Sequence, residues 1–318
     1  MTDDGSTTGD PHVFASGGKT DRHDYMAARK FGAQTRDLAL AYHWTGKNVY
    51  ARKAVEFIKH WAINPETAMR PSPVNRISVD NKWGVPASVE INITIPNFIY
   101  AAALVNNHPA WEEEEHKFES WTRTMLQELE DWAEKPYGNP VIGYNTNMRG
   151  SYIQHRAAAA TYLNDGNALQ KAVTWYKKHA IYEVNDDGSL PLELKRDEAL
   201  DYSLNALQAF TTMAEVARHN GINLYDWEGP HEYGGEKPVL EAIADYTAPY
   251  IVSPDEWPHA GGGGRSQEYL DNGAIYEALY SQYRKEIYLE AIRAMNRPLR
   301  SGDYTGPLTA THANLFEL

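Results

Sequence analysis

From Tyr25 onward, residues suited to burial recur at spacings of three and four. Ala28, Phe31, Thr35, Leu38 and Tyr42 fall on one face of a helix. Gly46 breaks that helix, and a second runs from about Val49 to Trp61 with Ala54, Val55, Ile58 and Trp61 turned inward. Pro65, Pro71 and Pro73 stop it, and residues 65–88, with four prolines, form a long irregular connection. The pattern predicts further helices over 90–106, 110–134, 147–163, 167–183, 197–219, 236–250, 267–281 and 284–296. Strand signals are confined to 76–79 and 91–95, which have β-branched residues but little alternation. The fold class is all-α. Residues 1–24, rich in Gly, Asp, Thr and Ser, read as an irregular lead-in, and 25–318 as one helical domain.

A weak repeat runs through these helices. Ala39 to Gly46 leads into Tyr50 to Val55, and Ala158 to Gly166 leads into Ala168 to Val173. Each is an Ala/Tyr helix, a Gly stop and a second helix. Repeated helical hairpins build an α/α barrel or toroid, although an irregular bundle would give the same two copies.

Composition narrows the chemistry. The chain has 318 residues and no cysteine, which removes disulfides, thiolate nucleophiles and zinc sites built on Cys. With 43 acidic residues against 30 Lys and Arg, the net charge of -13 argues against nucleic acid as a partner. No apolar window is long enough to span a membrane. The first residues lack the basic and apolar regions of a signal peptide, so the chain as written reads as cytoplasmic; removal of a signal would make it periplasmic or secreted. The abundance of Tyr (21) and Trp (9) suits a sugar-binding groove as well as core packing.

Three segments are unlike ordinary helix surface. In the run from Gly143 to Arg156, a helix starting near Asn147 stacks Asn147, Ser151 and His155 on one face, a polar line ahead of the apolar Ala157 to Ala160. Asn147 as a simple cap and His155 as a satisfied core histidine would give the same spacing. In the run from Asp186 to Tyr202, Lys195 and Arg196 sit just before a helix start, where cations oppose the helix dipole and would suit an anionic ligand. Arg196 can converge with the Tyr202 phenol, or pair with Asp197 or Glu198 on the surface. The third segment, Gly261 to Gly264 followed by Arg265 and Ser266, reads as a lid or cleft-edge loop carrying Arg265, or as a plain flexible connection. The acidic run Glu112 to Glu115 reads as a solvated helix face.

These segments resemble the alginate-lyase-like superfamily of polysaccharide lyases, incomplete α/α barrels, over about residues 21–227. The likeness runs through Arg36 to Tyr42 with Thr45 and Gly46, Tyr50 to Ala54, Trp61, and Asn64 to Pro71. Its most specific part is Asp187 to Arg196 with Ala199, Leu200, Asp201 and Tyr202, which looks like the segment carrying the catalytic Arg and Tyr. Family 5 alginate lyases have Asn-Asn-His where this chain has Thr146-Asn147-Met148, and the Arg-to-Tyr stretch is one residue shorter here. The chain is therefore more similar to family 38, whose members cleave glucuronan or mannuronate-rich alginate. The resemblance implies catalytic roles for Asn147, Arg196 and Tyr202, and His155 is added from its place on the Asn147 face.

That resemblance implies a β-1,4-linked polyuronate cleaved by syn β-elimination. Tyr202 acts as base and acid, while Asn147, His155 and Arg196 offset the substrate carboxylate. No cofactor or metal is needed. Despite the net charge of -13, a local cluster of Lys195, Arg149, Arg156, Arg196 and Arg265, plus Lys82 or Arg76, can hold such a polyanion, because charges beyond roughly 8 Å are screened, and these residues are expected to line one cleft. Trp83, Tyr144, Tyr152 and Trp257 are the stacking candidates. A glycoside hydrolase with paired carboxylates and a non-catalytic uronate-binding protein are the rival readings.

Overall fold

A computed structural model of the chain describes residues 23–69, 71, 94–134, 146–181, 183–260, 267–302 and 304–313. Among them extended pairing is limited to an isolated bridge between Ser301 and Gly306. The helices are α1 (His23–Thr45), α2 (Asn48–Ile58), α3 (Ile95–Leu104), α4 (Pro109–Glu112), α5 (Glu115–Glu134), α6 (Thr146–Tyr162) and α7 (Gly166–Trp175). They continue as α8 (Pro191–Leu194), α9 (Ala199–His219), α10 (Val239–Val252), α11 (Gln267–Gly273), α12 (Tyr276–Tyr283), α13 (Glu286–Met295) and α14 (Leu308–His312). Single π-helical turns, Lys59–Ile63 and Tyr176–Ala180, extend α2 and α7. No helix of the described residues is long and apolar enough to cross a membrane. The lead-in through residue 22 and nearly all of the proline-rich connection lie outside the described residues, as do the strand signal at 76–79 and residues 91–93 of the one at 91–95, whose last residue, Ile95, opens α3 instead.

The helices group into two compact units. One comprises residues 1–144 with 158–169, the other 145–157 with 170–318. In the first, Gly46 adopts φ +66 and its N–H reaches the Tyr42 carbonyl at 2.8 Å, which ends α1 where the sequence places the break. Ala54, Val55, Ile58 and Trp61 are buried as their spacing predicts. On α1 Thr35 is buried as its spacing predicts, but the deepest face also takes in Ala33, Arg36 and Ala39, while Phe31, Leu38 and Tyr42 are half-buried. Arg36 is the reason: its charge disguises an interior position. Its guanidinium donates to Asn97 Oδ1 (2.8 Å) on α3 and to Asp37 Oδ1 (2.9 Å), so it enters the core already paired. Trp61 stacks on Phe98 with centroids 4.5 Å apart.

The helix predicted over 110–134 breaks between α4 and α5, and the acidic run is not uniformly solvated. Glu114 is buried, bridging Lys59 (2.6 Å) and Lys117 (2.9 Å), whose hydrogen bonds hold its carboxyl below the usual carboxylate range. In the second unit α9 is the central element, with nearly every residue from Ser203 to Glu215 buried. Helices α10 and α11 pack against it, and α13 packs on α10 and α12. A helix enclosed on all sides carries little amphipathic signal, so its length comes from the run of helix formers between Ala199 and His219.

Candidate active site

The loop ahead of α9 is fixed by its own backbone and by α10. The Asn185 N–H donates to the Ser189 carbonyl (2.9 Å), and the Gly188 N–H donates to the Asn185 carbonyl (2.8 Å). Asp187 Oδ1 accepts the Ser189 N–H at 2.9 Å. Gly188 has φ +88, and a Cβ there would lie 2.2 Å from the Ala242 carbonyl oxygen, so only glycine lets this turn lie against α10. Leu190 is buried, and Pro191 opens the single turn α8. The Arg196 N–H then donates to the Glu193 carbonyl (3.0 Å), and the Ala199 N–H to the Ala260 carbonyl (3.2 Å), where α9 begins.

That geometry delivers two side chains to one point. The Arg196 guanidinium carbon lies 3.2 Å from the centre of the Tyr202 ring. This is well inside the range in which a cation and an aromatic face attract. Neither surface carboxylate offered by the sequence takes Arg196; its Nη1 lies 3.5 Å from Oε2 of Glu193, whose side chain is fully buried while that of Arg196 is 25% exposed. Tyr202 is itself half-buried and sits in the first turn of α9, its N–H donating to the Glu198 carbonyl. Lys195, next to Arg196, is exposed.

The polar line on α6 meets a different outcome. Asn147 lies in the first turn of α6. One turn on, a Cβ on Gly150 would be 2.7 Å from the Ala209 Cβ and 3.2 Å from the Phe210 ring, so α6 approaches α9 closely there. His155, expected to face the substrate, is completely enclosed, with no hydrogen-bond partner at either ring nitrogen, and burial pushes its imidazole down to about 3. It is therefore neutral at ordinary pH and supplies no charge to a carboxylate.

Arg149 and Arg156 are buried too, at 1% and 4% exposure, rather than lining an open cleft. Tyr152 is buried, its ring 4.8 Å from that of Trp175 and 5.5 Å from the Arg156 guanidinium, which is packing rather than a sugar platform. Trp257 is buried with Tyr246, Tyr250 and His259 around it. Trp83, Tyr144, Arg265, Arg76 and Lys82 lie outside the described residues, as does the glycine run 261–264. Among the described residues no group of three His, Asp or Glu side chains is arranged to hold a metal ion. The sequence reading missed Glu193. The signal was available as a Glu three residues before Arg196 within an apolar run, Leu190 to Leu194.

Fold and family together put the protein among the polysaccharide lyases. A family model described as Alginate lyase matches residues 3–257, and the chain belongs to that family. An alginate lyase from Bacteroides ovatus superposes with a TM-score of 0.74 at 23% identity, covering 88% of this chain and 73% of that one. Alginate lyase A1-III from Sphingomonas species A1 gives a TM-score of 0.68 at 18% identity, covering 92% and 78%. A variant of A1-III in complex with a tetrasaccharide gives 0.69 at 17% identity, covering 99% and 87%. No curated protein matches the chain.

Proposed function

We propose that the protein cleaves a β-1,4-linked polyuronate by syn β-elimination, with Tyr202 as both base and acid. The observation that carries this reading is the Arg196 guanidinium 3.2 Å over the Tyr202 ring. In β-mannuronate and β-glucuronate, H5 and O4 lie on the same face of the sugar. One phenolate can therefore take the C5 proton while the C5–H electrons form the C4=C5 double bond and the C4–O4 bond breaks. The phenol then returns its proton to the departing O4, which leaves a 4,5-unsaturated uronate end. The developing charge on the C6 carboxylate needs donors nearby, and Asn147 and Arg196 are the groups we assign to it. His155 is left out of this set because its ring is enclosed.

Family membership supports alginate as the polymer, and a single tyrosine serving as base and acid suits its mannuronate-rich blocks. Glucuronan is the second reading, favoured by Met148 standing where the family 5 pattern has His. The test is incubation of the protein with polymannuronate, glucuronan, polyguluronate and pectate, following the ultraviolet absorbance of the unsaturated end. A rise on polymannuronate or glucuronan, lost in Tyr202→Phe, supports the proposal. New reducing ends without that absorbance mean hydrolysis, and binding with neither signal means a uronate-binding protein.

A further inference from the structure

Glu193 is a carboxylate with no exposed surface, on a one-turn helix, beside the arginine that covers Tyr202. Glutamate is almost never fully buried unless it is paired, since desolvation of the charge is costly. An apolar side chain would fill this place in the Leu190 to Leu194 run without that cost. We propose that Glu193 is a positioning residue: it holds the Arg196 guanidinium on the face of Tyr202. The inference rests on Tyr202 being the acid and base.

Two restraints act on Arg196 from the same residue. Its N–H donates to the Glu193 carbonyl at 3.0 Å, which sets where the side chain starts. Its guanidinium lies 3.5 Å from the Glu193 carboxylate and 3.2 Å from the Tyr202 ring centre, which sets where it ends. At 3.5 Å the pair is longer than a charge-assisted hydrogen bond, so the hold is Coulombic attraction inside a poorly solvated wall. Arginine has several free torsions and, at one-quarter exposure, ready access to solvent-facing rotamers. A fixed negative charge behind the guanidinium biases it toward the ring, and the ring face completes a slot shaped for a planar cation.

The experiment uses the full chain on whichever polyuronate it cleaves, and compares Glu193→Gln, Arg196→Ala and the double variant. Glu193→Gln lowers kcat by about tenfold or more while KM changes by less than about threefold, because the polymer still binds and only the reacting groups are misplaced. Added guanidinium chloride, at concentrations too low to denature, restores part of the rate of Arg196→Ala by entering the vacated slot. The double variant recovers at least about fivefold less, since the anionic wall is gone. Glu193→Asp, which keeps the charge on a shorter arm, falls between wild type and Glu193→Gln; it serves as the primary variant if Glu193→Gln does not fold. Wild-type kcat in the Glu193 variant, a lower melting temperature with kcat intact, or equal guanidinium recovery in the single and double variants overturns the proposal. Wild-type protein inert on every polymer refutes the lyase reading itself, and the positioning role with it.

Discussion

Replacing Arg196 by Gln removes the cation over Tyr202 while keeping a planar amide of similar reach. The guanidinium carbon is 3.2 Å above the ring centre, which puts it about 4 Å from the phenol oxygen. At that separation a charge pair is worth about 1 kcal/mol in bulk water and about 4 kcal/mol at an effective dielectric constant near 20. Tyr202 is half-buried, so the appropriate value lies between these, at about 2 kcal/mol. If that stabilisation of the phenolate is what makes Tyr202 a base at neutral pH, Arg196→Gln lowers kcat about 30-fold, within limits of roughly 5-fold and 1000-fold. The assay is the initial rate of unsaturated-end formation at saturating polymer, with Tyr202→Phe as the floor. A rate within twofold of wild type for Arg196→Gln, with Tyr202→Phe inactive, would refute the electrostatic argument while leaving the tyrosine in place.

Further outcomes follow from the same geometry. Gly188→Ala forces a side chain into φ +88 and to 2.2 Å from the Ala242 carbonyl; it costs at least about 2 kcal/mol and lowers the melting temperature by roughly 4 °C or more, measured by calorimetry. His155 bears on acid stability: its imidazole titrates at about 3 in the folded chain against 6.5 for the free group. Below the unfolded value the unfolded chain binds the proton and the folded chain does not, so stability present above about pH 6.5 falls by up to about 1.4 kcal/mol per pH unit on acidification toward 3. Urea titrations at pH 7 and pH 5 should therefore show a smaller acid loss for His155→Leu than for wild type, with lyase activity retained. Glu114→Gln weakens the pairs to Lys59 and Lys117 and costs about 1–3 kcal/mol with kcat unchanged, separating stability in the first unit from chemistry at Tyr202.

How much of this was legible in the sequence depended on whether a residue's own character matched its surroundings. The inward face of α2 is apolar throughout, so spacing alone found Ala54, Val55, Ile58 and Trp61. Arg36, Arg149 and Glu114 are buried charges, and a reading that sends charge to solvent misplaces each of them. Gly46 stopped α1 where expected because a positive φ is a local requirement. The break after Gly273 follows an Asn-Gly pair, a local stop signal, whereas at the break after Glu112 it is Glu114 that turns inward to reach Lys59 and Lys117, partners that hydrophobic spacing does not show. At the candidate site, the resemblance brought Arg196 and Tyr202 forward, and the structure puts them in contact. His155 shares a helix with Asn147, but a common face does not show whether that face opens to solvent, and at His155 it is closed. Glu193 went unread because a partner for Arg196 was sought among the exposed carboxylates after it rather than in the turn before it.

The most direct test of the account is mass spectrometry of the products that the wild-type chain and Tyr202→Phe release from polymannuronate and glucuronan in heavy-oxygen water. Elimination through Tyr202 predicts oligomers one water lighter than hydrolysis products, carrying no heavy oxygen from cleavage, and none from the variant. Saturated oligomers that incorporate the label, or unsaturated ones still made by Tyr202→Phe at the wild-type rate, would contradict it.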